Sequence, residues 1–263
     1  MNSTQNNPIG IFDSGIGGTS IWKEINEVLP NETSIYLADS KNAPYGQKSK
    51  DEIIDLSTKN TEHLLDKNCK LIVVACNTAT TNAIKYLRKN YNVPFIGIEP
   101  AIKPASLNTK TNKIGILATK GTLNSQLFAS TSNDINNDIQ IIEQVGEGLV
   151  ELIENGKIKS KEMTKLLQYH LSKFDNFNID NLVLGCTHYP YLIPQIKTLL
   201  TREIAIIDSG FAVAKQTKRV LENANLQNSS TNKSTHNFYT NTDQKVLSNL
   251  LNRKDVIINF LDF

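Results

Sequence analysis

Two cysteines carry the chemistry open to this chain. Cys76 ends the apolar run Leu71-Ile72-Val73-Val74-Ala75 and is followed by Asn77-Thr78-Ala79-Thr80. Cys186 ends Asn181-Leu182-Val183-Leu184-Gly185 and is followed by Thr187-His188. Two thiols on opposite sides of one carbon are what a two-base proton transfer needs, one to remove a proton and the other to deliver one. Each has a natural helper, Asp13 for one thiol and His188, two residues beyond Cys186, for the other. A carboxylate or an imidazole draws off a thiol proton, and a helix N-terminus stabilises the anion. The plainer reading is a pair of buried cysteines acting as small hydrophobes. Recurrence of the pattern in two matching places argues against it.

The elements that must position these thiols are legible around them. Short apolar runs rich in β-branched residues read as strands buried on both faces. The polar residues after each cysteine read as helix starts, with Asn77 and Thr78 offering cap oxygens. The mouth between strand end and helix is where open α/β sheets bind ligands. The cysteines lie 110 residues apart, and Ile9-Gly10-Ile11-Phe12-Asp13-Ser14-Gly15 is echoed by Ile114-Gly115-Ile116-Leu117-Ala118-Thr119-Lys120 at an offset of 105. Each half therefore runs strand, polar turn and, about sixty residues on, strand, cysteine, polar turn. This predicts an α/β fold of two pseudo-symmetric domains with mainly parallel sheets and the active site in the cleft between them. Residues 1–99 with 211–263 form the first domain on this reading, and residues 100–210 the second.

Further strands are expected at 34–38, 93–98, 139–143 and 204–207, and two last ones, 238–240 and 256–260, flank a short helix and return to the first domain. Helical periodicity covers 21–29, 50–65, 148–154, 161–173 and 211–221, while 223–237 is polar and low in complexity, so a loop. Cys69 reads as a structural thiol, and His63 and His170 as helix-surface residues. The turn 13–20 is glycine-rich, but the third glycine of a dinucleotide fingerprint would fall at Ser20, and no Gly-Lys-Ser/Thr follows. Its glycines suit close approach of a small ligand, with backbone N–H groups aimed at a carboxylate. Cys186-x-His188 is too tight for usual metal-ligand spacing and no C-x-x-C exists, so neither a metal nor a cofactor is expected.

Composition narrows the class. A formal charge of +2 over 263 residues, with acids and bases interspersed, gives no reason to expect nucleic acid. Residues 1–8 lack the apolar core of a signal peptide, and no apolar run reaches membrane-spanning length, so no membrane partner is expected. Three cysteines, an odd number, two of them at strand ends, fit a reducing cytoplasm.

Six segments carry a resemblance. They are Gly10-Ile11-Phe12-Asp13-Ser14-Gly15-Ile16-Gly17-Gly18, Pro44-Tyr45-Gly46, Val74-Ala75-Cys76-Asn77-Thr78-Ala79, Gly97-Ile98-Glu99-Pro100-Ala101, Leu117-Ala118-Thr119-Lys120-Gly121-Thr122 and Leu184-Gly185-Cys186-Thr187-His188-Tyr189-Pro190. In this order the chain resembles the glutamate racemases of the cofactor-independent aspartate/glutamate racemase superfamily. The resemblance implies two domains related by a pseudo-twofold axis. It implies that Cys76 takes the α-proton of D-glutamate and Cys186 that of L-glutamate, with Asp13, Glu151 and His188 assisting. It implies a substrate pocket of Asp13, Ser14, Tyr45, Gly46, Asn77, Thr78, Thr119, Thr122, Thr187 and His188. It further implies L- and D-glutamate as the small-molecule partners, a homodimer, and a cytoplasmic role in supplying D-glutamate for peptidoglycan. One departure stands out: the family often has Cys-Pro in the segment before the helix carrying Glu151, where this chain has Val145-Gly146-Glu147-Gly148. Two other readings of the residues remain open at this point. One is a different enzyme, an aspartate or hydantoin racemase or a cysteine hydrolase using Cys186 and His188, the last of which leaves Cys76 idle. The other is a non-catalytic amino-acid-binding protein.

Overall fold

Continuous apolar runs became strands covered on both faces. The structure, a computed structural model, describes residues 3–136, 138–229 and 234–263. Its strands are β1 (Ile9–Asp13), β2 (Ser34–Ala38), β3 (Leu71–Val74), β4 (Phe95–Gly97), β5 (Lys113–Ala118), β6 (Gln140–Val145), β7 (Asn181–Gly185), β8 (Ala205–Ile207), β9 (His236–Thr240) and β10 (Val256–Phe260). They form two sheets, ordered β10-β9-β2-β1-β3-β4 and β6-β5-β7-β8, in which every pairing is parallel. Strands β1, β2, β3 and β7 are buried at every position, as central parallel strands must be when helices cover both faces.

The internal echo is a topological one. The order β2-β1-β3-β4 in the larger sheet has its counterpart in β6-β5-β7-β8, so Cys76 and Cys186 follow equivalent strands. Both β1 and β5 lie where the strand order reverses, the position at which open parallel sheets hold ligands beyond their carboxyl ends.

The helices are α1 (Thr19–Val28), α2 (Lys50–Asp66), α3 (Asn77–Asn90), α4 (Ile102–Asn108), α5 (Lys120–Leu123), α6 (Gln126–Asn133), α7 (Leu149–Glu154), α8 (Lys161–Ser172), α9 (Ile193–Leu199), α10 (Gly210–Asn223) and α11 (Gln244–Leu251). Helix α2 begins with a full capping box between Ser49 and Glu52. Trp22 on α1 is buried and stacks edge-on to Phe238 at 4.8 Å, while its indole N–H donates to Ser34 Oγ. That contact anchors strand β9 against helix α1 of the first sheet. The polar segment 223–237 partly matches its loop reading: α10 ends at Asn223 and β9 begins at His236, while 230–233 lie outside the described residues. Cys69 is buried against Gly10 of β1, and burial pushes its thiol up to about 12, which fits a structural role.

His170 departs from its surface reading. It is buried, with Nε2 against the Glu147 carbonyl at 2.9 Å and Nδ1 at 3.1 Å from Gln144 Nε2. Helix α8 turns it inward to hold the 144–147 segment. Among the described residues no helix is long and apolar enough to cross a membrane.

Candidate active site

Strand ends deliver both thiols to one place. Cys76 and Cys186 line a single small cavity together with Ser14, Tyr45, Gly46, Asn77, Thr78, Thr119, Thr187 and His188. Its volume is about 10 Å³, room for about one water molecule. A wider cavity of about 230 Å³ lies beside it, lined by Gly46, Gln47, Thr119, Lys120 and Glu151 among others.

Cys76 is the N-cap of α3. Its sulfur accepts from the Ala79 amide at 3.4 Å, and its thiol donates to Ser14 Oγ at 3.5 Å. The helix N-terminus thus reaches the sulfur as the sequence suggests, but it does not win. Burial, with the nearby Asp13 carboxylate adding to it, pushes this thiol well above its ordinary value and keeps it protonated. Cys76 therefore stands as a proton donor, with Ser14 rather than Asp13 as its direct partner.

On the other side, Cys186 Sγ lies 3.7 Å from His188 Nδ1, and His188 Nε2 lies 2.5 Å from Glu154 Oε1. Burial alone would favour the neutral ring. The bonds to Cys186 and Glu154 outweigh it and hold the imidazole well above its ordinary range. A protonated His188 donates to both neighbours, its Nε2 proton going to the nearer Glu154 carboxylate although the Gly17 amide also faces that nitrogen at 3.2 Å, so sulfur, ring and carboxylate form one line of proton-sharing groups.

Asp13 ties the halves together. It is fully buried, its Oδ2 accepts from the amides of Gly15 (3.2 Å) and Gly18 (2.9 Å), and its Oδ1 accepts from the Thr187 hydroxyl at 3.2 Å. Burial raises its carboxyl to about 6, against the opposing pull of His188 and the Gly18 amide. The turn 13–18 does aim N–H groups at carboxylates, but at the protein's own: Gly15 and Gly18 at Asp13, and Ile16 at Glu154 Oε1, 2.7 Å away, while that of Gly17 faces His188 Nε2.

The remaining predicted residues divide by position. The Asn77 amide is buried with neither polar atom hydrogen-bonded, which leaves both free to meet a polar ligand. The Thr78, Thr119 and Thr122 hydroxyls form a triangle with sides of 2.8, 3.3 and 3.0 Å. Thr119 faces the cavity and Thr122 stands fully buried behind it. Glu151 is not brought to His188. It accepts from Gln47 Nε2 at 2.7 Å on the exposed rim of the wider cavity. The carboxylate that meets His188 is Glu154, one turn further along α7, which also accepts from Ser40 Oγ at 2.7 Å. Residues three apart on a helix share a face, so two carboxylates on α7 were the available signal, and only the docking of that helix chose between them.

Close approach of the two halves needs a bare backbone at Gly17. A Cβ there would fall 2.2 Å from His188 Nδ1, on a ring too buried to move aside. Gly17→Ala is expected to force the 15–18 turn off Cys186 and His188 while leaving both sheets folded. Mass spectrometry should then find Cys186 alkylated severalfold faster by iodoacetamide than in the parent, with an unchanged circular dichroism spectrum. Equal alkylation rates would mean that the turn has slack.

Known proteins match this arrangement. The sequence model of the Asp/Glu/Hydantoin racemase family matches residues 9–217. A glutamate racemase from Herpetosiphon aurantiacus is 42% identical over 236 residues, covering 90% of this chain and 93% of the relative. Among solved structures, a glutamate racemase from Bacillus anthracis superposes with a TM-score of 0.88 at 28% identity, covering 98% of each chain. One from Francisella tularensis, solved in complex with D-glutamate, does so with a TM-score of 0.85 at 30% identity, again covering 98% of each. The chain belongs to the Asp/Glu/hydantoin racemase family and is an amino-acid racemase.

Proposed function

We propose that this racemase interconverts L- and D-glutamate by a two-base transfer between Cys76 and Cys186 and supplies D-glutamate for peptidoglycan in the cytoplasm. The observation that carries the reading is the presence of both thiols on one cavity, each delivered by the equivalent strand of two like sheets. Glutamate as substrate draws on the relatives, which are glutamate racemases. Residues 1–99 with 211–263 and residues 100–210 serve as the two lobes, and a homodimer is the proposed assembly, checked by sedimentation.

Removing an α-proton places carbanion character beside a carboxylate. With no pyridoxal expected to take that charge, preorganised donors must do so. Ser14, Thr78, Thr187 and the unpartnered Asn77 amide supply them. With L-glutamate bound, Cys186 takes the α-proton, assisted by His188, and Cys76 returns one to the opposite face. With D-glutamate the roles reverse, and Ser14 and Asp13 assist Cys76. On this geometry the helper on the Cys186 side is His188 with Glu154, which takes over the part assigned above to Glu151. Glutamate is far larger than the space between the thiols, so the lobes part to admit it.

Isotope labelling tests the two-base step. The delivering thiol equilibrates with solvent before substrate binds. In heavy water, D-glutamate formed early from L-glutamate should therefore carry α-deuterium, while the recovered L-glutamate carries little. Equal early labelling of both enantiomers, read by mass spectrometry after separation, would rule the scheme out. Substrate choice is a separate expectation. Glutamate should exceed aspartate in kcat/KM by about 10²-fold or more, because a shorter side chain leaves buried donors unpaired. Comparable values for the two would defeat glutamate as the preferred substrate.

A further inference from the structure

Tyr45 lines the cavity, but its hydroxyl is bound by residues that lie outside it. The ring is buried, and its hydroxyl donates to Asp39 Oδ2 at 2.5 Å and accepts from Asn60 Nδ2 at 3.1 Å, two residues that do not line the cavity. Burial and the facing Asp39 carboxylate hold the phenol far above its ordinary range, so it remains a donor. Asp39, just past β2, is bound on every side. Its Oδ1 accepts from Asn241 at 2.6 Å and from Asn42 at 2.8 Å, and its backbone N–H donates to the carbonyl of Asp13 at 3.1 Å. Asn241 in turn accepts from the Lys41 amide at 2.8 Å.

The loop so held has no slack on its far side. A Cβ on Gly46 would come within 3.0 Å of Thr119, and one on Gly121 would come 3.0 Å from Gly46 Cα. The segment from 40 to 47 is thus clamped between the Asp39 network behind it and the 119–122 turn of the other sheet in front. A shift of Tyr45 and Gly46 displaces a wall of the site itself, and misplacement of order 1 Å is enough to matter for substrate positioning.

We propose that Asp39 is a positioning residue for this racemase: through the Tyr45 hydroxyl it sets the backbone of Tyr45 and Gly46 against the bound substrate. It touches no reacting atom. The chain of contact runs from Asp13 at the end of β1, through the backbone of Asp39, to its carboxylate and the phenol. The loop is thereby registered to the same strand end that holds the catalytic turn. This inference rests on the glutamate reading for its substrate.

The test is steady-state kinetics in both directions on Asp39→Ala, Tyr45→Phe, their double variant and Asp39→Asn, with thermal melting of each. Asp39→Ala and Tyr45→Phe should each raise KM for glutamate about tenfold and change kcat by less than about threefold. The double variant should be no worse than the poorer single one, since both remove the same link. Asp39→Asn should return KM to within about threefold of the parent, because its amide oxygen still accepts from Asn241 and its NH2 donates to Tyr45, while Asn60 turns its amide over so that Oδ1, unpartnered in the parent, takes the phenol proton. Tyr45→Phe removes a single hydroxyl, so it carries the test even where Asp39→Ala fails to fold. Unchanged KM in the single variants, multiplied effects in the double, or losses that track melting temperature with kcat and KM moving together would each overturn the proposal. Wild-type protein that leaves glutamate unconverted would instead overturn the substrate reading, and this inference with it.

Discussion

Cys76→Ala and Cys186→Ala should each cut glutamate racemisation by about 10³-fold or more, since general acid–base groups of this kind supply about 10²–10⁴ of the rate and each variant removes one of two proton carriers. Neither sulfur holds the fold together. Cys76 makes one weak bond to Ser14 and accepts one amide, while among the described residues the polar partner of Cys186 is a ring nitrogen at 3.7 Å. Melting should therefore shift by no more than a few degrees, and circular dichroism should be unchanged. Cys69→Ala is the control. Its sulfur is buried against Gly10, away from the cavity, and activity should persist. Enantiomer-resolved chromatography after incubation with L-glutamate alone measures all three. Near-parental turnover by either cleft variant would show that its thiol is not a proton carrier.

The second large effect belongs to Glu154→Gln. The carboxylate accepts from His188, from the Ile16 amide and from Ser40, and it helps hold the imidazole in its charged form. A neutral amide keeps the shape and removes the charge. Without it, burial favours the uncharged ring, and a charged His188 no longer faces the Cys186 sulfur. We expect kcat/KM to fall about 10²-fold. It must fall equally in both directions, because the enantiomers have equal free energy. The loss in kcat should be larger where Cys186 takes the proton. Glu151→Gln removes only the rim bond to Gln47 and should cost less than about threefold. A Glu151→Gln defect as deep as that of Glu154→Gln would restore to Glu151 the assisting role the resemblance implies.

These two carboxylates mark the boundary between what the chain encodes locally and what folding decides. The apolar runs ending at Asp13, Cys76, Ala118 and Gly185 were enough to specify buried parallel strands, because β-branched residues without polar alternation can only be covered on both faces. The matching offsets of two such pairs implied two like sheets, and the strand orders agree. That a thiol follows β3 and another follows β7 is also local information, since a residue at a strand's carboxyl end inherits its place from the strand.

Partnership across the cleft is not local. Glu154 bonds to Ile16, 138 positions away, and whether α7 offers Glu151 or Glu154 depends on how that helix docks against the 13–18 turn. His170 is buried rather than exposed for the same reason, the roll of α8 against the 144–147 segment. Charge state follows. A helix start after Cys76 suggests a stabilised thiolate, yet the desolvation that keeps this thiol protonated comes from residues brought in by both lobes. Sequence alone determined the buried strands and which reactive atoms stand at their ends. The tertiary structure decided which carboxylate meets His188, which hydroxyl meets Cys76, and which protons are held, because those follow from packing between segments distant in the chain and from the water that packing excludes.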